Sequence, residues 1–457
     1  MEGTDVGSVV TAANSSQVQP DTEHSEHAGW NPLTRIVFRF TFLYFGLFCL
    51  TYPQLITEFG RWFITWLGGS TDAVIWQTTL LGPLLGWVGR TVFGVDAVVR
   101  GTGSGDQTIY WVQLFCLLVV ATVGTAAWTL LARRRTEHRR LAGWFLLFVR
   151  LCVAGQMLNY GFGKLIPTQM PEPGLTTLLT PYGEFTPMGV LWNQVGTSMP
   201  YQILLGAAEV LAGVLLFIPR TAVVGAMLSV VSMAQVFVLN LTFDVPVKIL
   251  SGHLLLMSLL LLAPQARRLV EVLVLDRATG PSTAPYPFRT RTSRRIAAAV
   301  QIALGIWIGS SLLHVSMQFW RDEGPDRPKP PLYGIWAVQD FARDGQAVPP
   351  LLTDETRWQR IVFDYPGVMD YQRMDGTLVP AQVKVDTATH RVELADLPAG
   401  QDAQPKPLGT FTFQQPGPDR LRLEGELDGH PVTITLDRVD PNTFPLRSTG
   451  FHWIRDE

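Results

Sequence analysis

Seven apolar runs, each near the length of a bilayer's hydrocarbon core, constrain this chain more than any motif in it. They are Arg35–Leu50, Tyr110–Leu131, Leu141–Tyr160, Tyr201–Phe217, Ala222–Asn240, Val247–Ala263 and Ile296–Phe319. A spanning helix needs ~20 predominantly apolar residues. Backbone polar groups in lipid must be satisfied within the segment, so a helical bundle is the expected form of residues 31–320. The composition agrees: 47% of the 457 residues are hydrophobic and 16% charged, and 14 Trp and 24 Phe supply aromatics for the interfaces.

The loops between these runs set an orientation. Loops 132–140, 218–221 and 264–295 carry thirteen Lys or Arg, against five in 54–109, 161–200 and 241–248. Positive loops stay in the cytoplasm, which predicts a cytoplasmic N-terminus and places everything after Trp320 outside, in a bacterial inner membrane. Residues 1–30 lack Lys and Arg and are rich in Ser, Thr, Asp and Glu; they are expected to be a disordered tail, with no cleavable signal ahead of Ile36. The stretch 54–109 carries Trp62, Trp66, Trp76 and Trp87 but is interrupted by Gly68, Gly69, Pro83 and Gly86. It is expected to lie in the interface between the first two crossings rather than to cross. Gly101–Gly105 follows no predicted strand and reads as a turn, not a phosphate loop.

Charge changes sign after the last crossing, 296–320. Residues 1–320 hold 21 basic and 16 acidic side chains, residues 321–457 hold 15 and 22. A Pro-rich linker, 321–332, precedes a domain, 333–457, whose runs Arg357–Phe363, Leu378–Val385, Leu408–Phe413, Leu421–Leu427 and Val432–Leu436 alternate with period two. Asp375-Gly376 and Asp428-Gly429 stand between such runs as hairpin signals. An extracytoplasmic antiparallel domain of seven or eight strands follows, closed or nearly so, with a lipocalin-like barrel as its specific form. Trp336, Phe341, Trp358, Tyr371, Phe411, Phe413 and Trp453 could line a cavity there for an apolar ligand, or form its core; Gly334–Trp336 and Gly450–Trp453 could plug one end.

Charged side chains inside the apolar runs mark the candidate site. Arg150, Met157, Gly161 and Lys164 share one helical face, and Glu209 follows on the next crossing, flanked by Gly206, Ala208, Ala212 and Gly213. A charge near the bilayer centre costs ~2.5–3.5 kcal/mol on lenient scales, so these groups should face inward and find partners. The two helices run antiparallel, and Glu209 falls at a depth between Lys164 and Arg150, able to pair with either. Asp244, Lys248 and His253 add polar groups at the same side. The pair is either a structural staple or a pocket that binds a headgroup and moves a proton.

Other chemistries find little in the chain. Cys49, Cys116 and Cys152 lie in apolar runs without C-x-x-C spacing and read as buried packing residues. No metal-ligand spacing occurs, and His253 with His314 is a poor basis for haem. The Arg clusters sit in membrane loops, which argues against nucleic acid. No inverted repeat supports a transporter.

The stretch 141–263 resembles the DoxX family of bacterial and archaeal membrane proteins. The matching residues are Arg150, Gly161–Lys164, Glu209 with Gly213, and Arg220. The resemblance implies a four-helix unit within the bundle and, through DoxX, DoxD and the related MauE, a role in quinone-linked redox chemistry or its support. Quinone is then the candidate cofactor, with Lys164, Glu209 and His253 on its headgroup, and a periplasmic or membrane redox partner is expected. The competing expectation is a non-catalytic binding or assembly protein that works through its β domain.

Overall fold

The computed structural model describes residues 30–56, 59–60, 76–133, 137–282, 284–325, 327–398 and 404–455. The expected tail up to residue 29, together with Trp62 and Trp66, lies outside the described residues.

Among those residues seven helical spans are long and apolar enough to cross a bilayer, and they match the seven runs. The first is α1 (Pro32–Thr51), capped by Asn31, whose side chain accepts from Thr34 N at 2.7 Å with Pro32 at the first helical position. The shorter helix α2 (Trp76–Val88) contains Pro83 and is not among the seven. Then come α3 (Thr108–Leu131), α4 (Arg139–Leu165), the short α5 (Leu175–Leu179) and α6 (Pro187–Gly196), α7 (Met199–Phe217) and α8 (Ala222–Thr242). A 3-10 turn joins α9 (Lys248–Leu262) to α10 (Ala266–Leu273), so the sixth span runs on to residue 273. The last helix, α11, reaches from Arg291 to Glu323. It starts before Ile296 because Thr290 caps it by accepting from Ser293 N, which carries Arg291, Arg294 and Arg295 into the helix.

Helix α4 is the centre of the bundle, with 61% of its apolar window buried against 22–39% for the other spans. Its closest neighbour is α7, and glycine sets the approach. A Cβ on Gly206 would run into Leu165 N, and one on Gly161 would lie 2.7 Å from Val210 N. Small residues at a helix crossing let backbones meet in this way.

Residues 334–439 form a closed antiparallel barrel. Its strands are β1 (Gly334–Arg343), β2 (Gln346–Ala347), β3 (Trp358–Tyr365), β4 (Val368–Arg373), β5 (Leu378–Asp386), β6 (Arg391–Asp396), β7 (Pro407–Gly417), β8 (Arg420–Leu427) and β9 (His430–Val439). From β3 to β9 each strand pairs with its sequence neighbour, and β1 closes the ring against β3 and β9. Eight strands make the wall, and β2 is a short return of β1. Both expected Asp-Gly turns are hairpins: Gly376 has φ +92, and Asp428 and Gly429 have φ +48 and +79. At Asp428-Gly429 left-handed backbone at both central residues suits a two-residue hairpin, and Asp344-Gly345 makes a second such turn.

The barrel's aromatics pack on one another. Trp336, Phe341, Trp358, Phe411 and Phe413 are buried, and the Trp358 ring stacks on Tyr371 at 4.8 Å. Trp336 fills one end and donates its ring N–H to Leu332 O at 2.8 Å. Trp453 corrects the expectation that Gly450–Trp453 helps plug that end and that Trp453 lines a cavity. It is 91% exposed and Phe451 is 78% exposed, because the chain leaves the barrel through α12 (Pro445–Ser448) and residues 449–455 lie away from its core.

Candidate functional site

The last turn of α4 and the middle of α7 bring Lys164 and Glu209 together. Lys164 Nζ donates to both carboxylate oxygens, at 2.8 and 3.1 Å, and both residues are buried. The third ammonium direction meets Tyr160 O at 3.5 Å, with the Tyr160 ring 5.3 Å from Nζ. Gly161 and Gly206 make the contact geometrically available, since they remove the side chains that would hold the helices apart.

A cavity of about 430 Å³ opens beside the pair, within the 300–1,000 Å³ range of small-molecule sites. Lys164, Glu209, Tyr160, Gln169, Gln235 and Asn240 are its polar lining, and Met170, Leu191, Trp192 and Phe243 are among its apolar lining. A second, more polar cavity of about 520 Å³ lies alongside, lined by Tyr52, Arg100, Ser104 and Asn159. Gly103, Tyr160, Gln169 and Val247 border both. The pair thus borders a space with apolar sides, and its weakest contact is the 3.5 Å one to Tyr160 O. A ligand carbonyl that replaces Tyr160 O on the ammonium, or a ligand hydroxyl that donates to the carboxylate, can bond there.

The remaining candidates lie elsewhere. Arg150 points to α11 and donates to Gln301 Oε1; it sits roughly 20 Å down the helix from Lys164. Lys248 pairs with Asp244 at 2.8 Å, where the Asp244 side chain is 84% exposed. Val245, Pro246 and Val247, between them, line the cavity, but Asp244 and Lys248 do not. His253 faces α1: Nε2 meets Tyr44 OH at 2.8 Å, Nδ1 meets Ile249 O at 2.7 Å, and the ring stacks on Phe48. A carbonyl at Nδ1 needs an N–H there, so a neutral imidazole satisfies both contacts.

Several participants escaped the sequence reading. Tyr160, Gln169 and Gln235 look like ordinary amphipathic positions until the cavity is seen. Asp106 accepts from Lys248 N and Ile249 N, at 2.8 and 2.9 Å, and so caps α9 and orders the turn that walls the cavity. A lone acid after a Gly-rich turn was its only signal.

The segment between α4 and α7 roofs the cavity and touches the barrel. On the bundle side, Trp192 donates to Gln169 O at 3.1 Å. The Gln202 amide, oriented to satisfy both groups, bonds Met170 N and O. On the barrel side, Asp364 Oδ2 accepts from Leu175 N at 2.7 Å, while Arg327 donates to Asp364 Oδ1 at 2.6 Å. Thr176 donates to Asp370 at 2.7 Å, and Arg447 to Pro173 O at 2.9 Å. Burial pushes the Asp370 carboxyl above its ordinary range; the Thr176 hydroxyl opposes this and Asp364 adds to it.

No protein-family model matches the chain, and no solved structure does. The uncharacterized protein YwoB of Bacillus subtilis (strain 168) is 32% identical over 123 residues, which are 27% of this chain and 78% of that protein. Over that stretch, the chain belongs to the same family as YwoB.

Proposed function

We propose that this is a multi-pass membrane protein that binds the headgroup of a lipid-soluble ligand, a quinone, at Lys164 and Glu209, in support of redox chemistry in a bacterial cell membrane. The observation that carries the reading is a buried ion pair bordering a cavity whose lining is otherwise largely apolar. A structural staple needs no adjoining space. A quinone carbonyl would take the place of Tyr160 O on the Lys164 ammonium, a quinol hydroxyl would donate to Glu209, and the tail would lie along Leu191 and Phe243.

The lipid environment rests on the outer faces of the helices. On α3, Trp111, Leu118, Val120, Val123 and Leu131 are all exposed, a continuous apolar surface that water would penalise. The basic loops support a cytoplasmic N-terminus and an outer barrel. The DoxX-like features fit this reading, with the four-helix unit formed by α4, α7, α8 and α9. Electrons would come from a membrane or periplasmic partner.

Titration of the full-length protein in nanodiscs with decylubiquinone tests it. Trp192 lines the cavity, so the wild-type minus Trp192→Phe fluorescence difference should quench saturably. Glu209→Gln should weaken that quench at least tenfold. A non-saturable response identical in both proteins sinks the proposal.

The second reading, a non-catalytic assembly or binding protein, draws on the contacts between barrel and bundle rather than on the barrel's interior, where the aromatics pack on each other.

A further inference from the structure

The structure points to a role for the barrel: we infer that it is a clamp on the segment that roofs the cavity, and that Asp364 is the positioning residue of that clamp. The inference deepens the cavity reading above and rests on it only for the ligand.

The roof residues Gln169 and Met170 are followed by Pro171, Glu172, Pro173 and Gly174. Two prolines with fixed φ make this a stiff connector rather than a slack one. At its far end the chain enters α5, and there the barrel grips it. The Leu175 side chain is fully buried against Ile335 of β1 and Val362 of β3. Its N–H goes to Asp364, a buried carboxylate of β3. The same carboxylate takes the Arg327 guanidinium from the linker, and that guanidinium also stacks over Tyr365 at 4.0 Å. One acid therefore ties three separate pieces of chain, the connector, the linker and the barrel wall.

Gly174 shows how tight the grip is. A Cβ there would stand 2.6 Å from Asp364 Oδ2, inside any permissible contact. Thr176 with Asp370 and Arg447 with Pro173 O hold the connector on either side of this point. A barrel that only carried a ligand within itself would need none of these contacts. Their sum fixes the connector, and through Pro171 the position of Met170 in the lining of the cavity that Lys164 and Glu209 share.

Hydrogen exchange on the full-length protein in nanodiscs tests the clamp, with decylubiquinone titration as a second arm. Asp364→Ala and Gly174→Ala should each raise amide exchange across 169–178 at least tenfold, including at Met170, while β5 to β8 stay as protected as in the wild type. Asp364→Asn keeps an acceptor for the Leu175 N–H and should restore most of that protection. Decylubiquinone affinity should fall about tenfold in the two alanine variants and recover with Asp364→Asn. Unchanged exchange at 169–178 in Gly174→Ala, with the barrel folded, overturns the clamp. Raised exchange with unchanged affinity overturns its coupling to the cavity. If the wild type binds no quinone, the ligand assignment falls and the exchange arm still decides the clamp.

Discussion

Lys164 and Glu209 meet at 2.8 Å across a helix pair that touches through Gly161 and Gly206. Both charges are buried, so each depends on the other for solvation, and removing one strands its partner. Breaking a buried pair from one side costs about 3–5 kcal/mol, whereas replacing both partners with apolar groups is often neutral. Lys164→Met alone should therefore lower the detergent melting temperature strongly. Lys164→Met with Glu209→Leu should recover most of the loss while abolishing quinone quenching. Equal melting of the single and double variants would mean the pair carries no shared burial cost.

Contact between α4 and α7 makes a second, sharper demand. Gly206→Ala adds one methyl where Leu165 N already occupies the space. Overpacking of this kind costs about 1–3 kcal/mol, and here it must also push Glu209 away from Lys164. Gly46 on α1 has nothing within 4 Å of its would-be Cβ, and Gly46→Ala should be neutral or gain up to ~1 kcal/mol from helix propensity. Thermal melts of the two variants side by side check this. A harmless Gly206→Ala would mean the helices are further apart than described.

Asp370 links the barrel contact to pH. Its carboxyl is held above the ordinary range, chiefly by burial, so the folded state binds the proton more tightly than the unfolded chain. The ionised form then opposes folding at pH values above the raised pKa, and the opposition fades as pH falls through it. Asp370→Asn keeps an acceptor for the Thr176 hydroxyl and removes the charge. The variant should be more stable than wild type at neutral pH, with the difference shrinking on acidification. Denaturant midpoints of the full chain, followed by β-sheet circular dichroism across that range, measure the gap. A constant gap, or a less stable variant at neutral pH, would rule out this account of Asp370.

Much of this architecture was legible in the chain because lipid-compatible helices and tight hairpins are written locally. The apolar runs needed no tertiary information, and Asp375-Gly376 and Asp428-Gly429 announced their turns through backbone preference alone. The Lys164–Glu209 contact was legible as opposite charges at similar depth on neighbouring antiparallel helices, although depth left Arg150 as an alternative. Gln301 decides that alternative from 151 residues away, and nothing local could reveal it. His253 looked like a site residue because it shares an end of the bundle with Lys248, yet its face of α9 turns to Tyr44. Asp364 and Asp370 read as ordinary strand acids; their roles exist only once α5 lies against β3 and β4. Trp453 misled for the opposite reason, since an aromatic near a chain end has no periodic context to show whether it turns inward.

Orientation remains the prediction with the widest reach. An odd number of crossings, seven by length and apolarity, would put the two ends of the bundle's chain on opposite sides of a bilayer. In the sequence, 132–140 carries five Lys or Arg and 264–295 seven, and translocating these loops would be the most costly. A periplasmically active reporter fused after Glu457 should therefore work, and one placed in loop 132–140 should be silent. Placing Lys248, Lys164 and the barrel outside also puts the cavity at the outer leaflet, where a periplasmic electron donor can reach a quinone headgroup. A cytoplasmic reading at Glu457 would invert the bundle, turn the cavity to the cytoplasm, and remove a periplasmic partner from the mechanism.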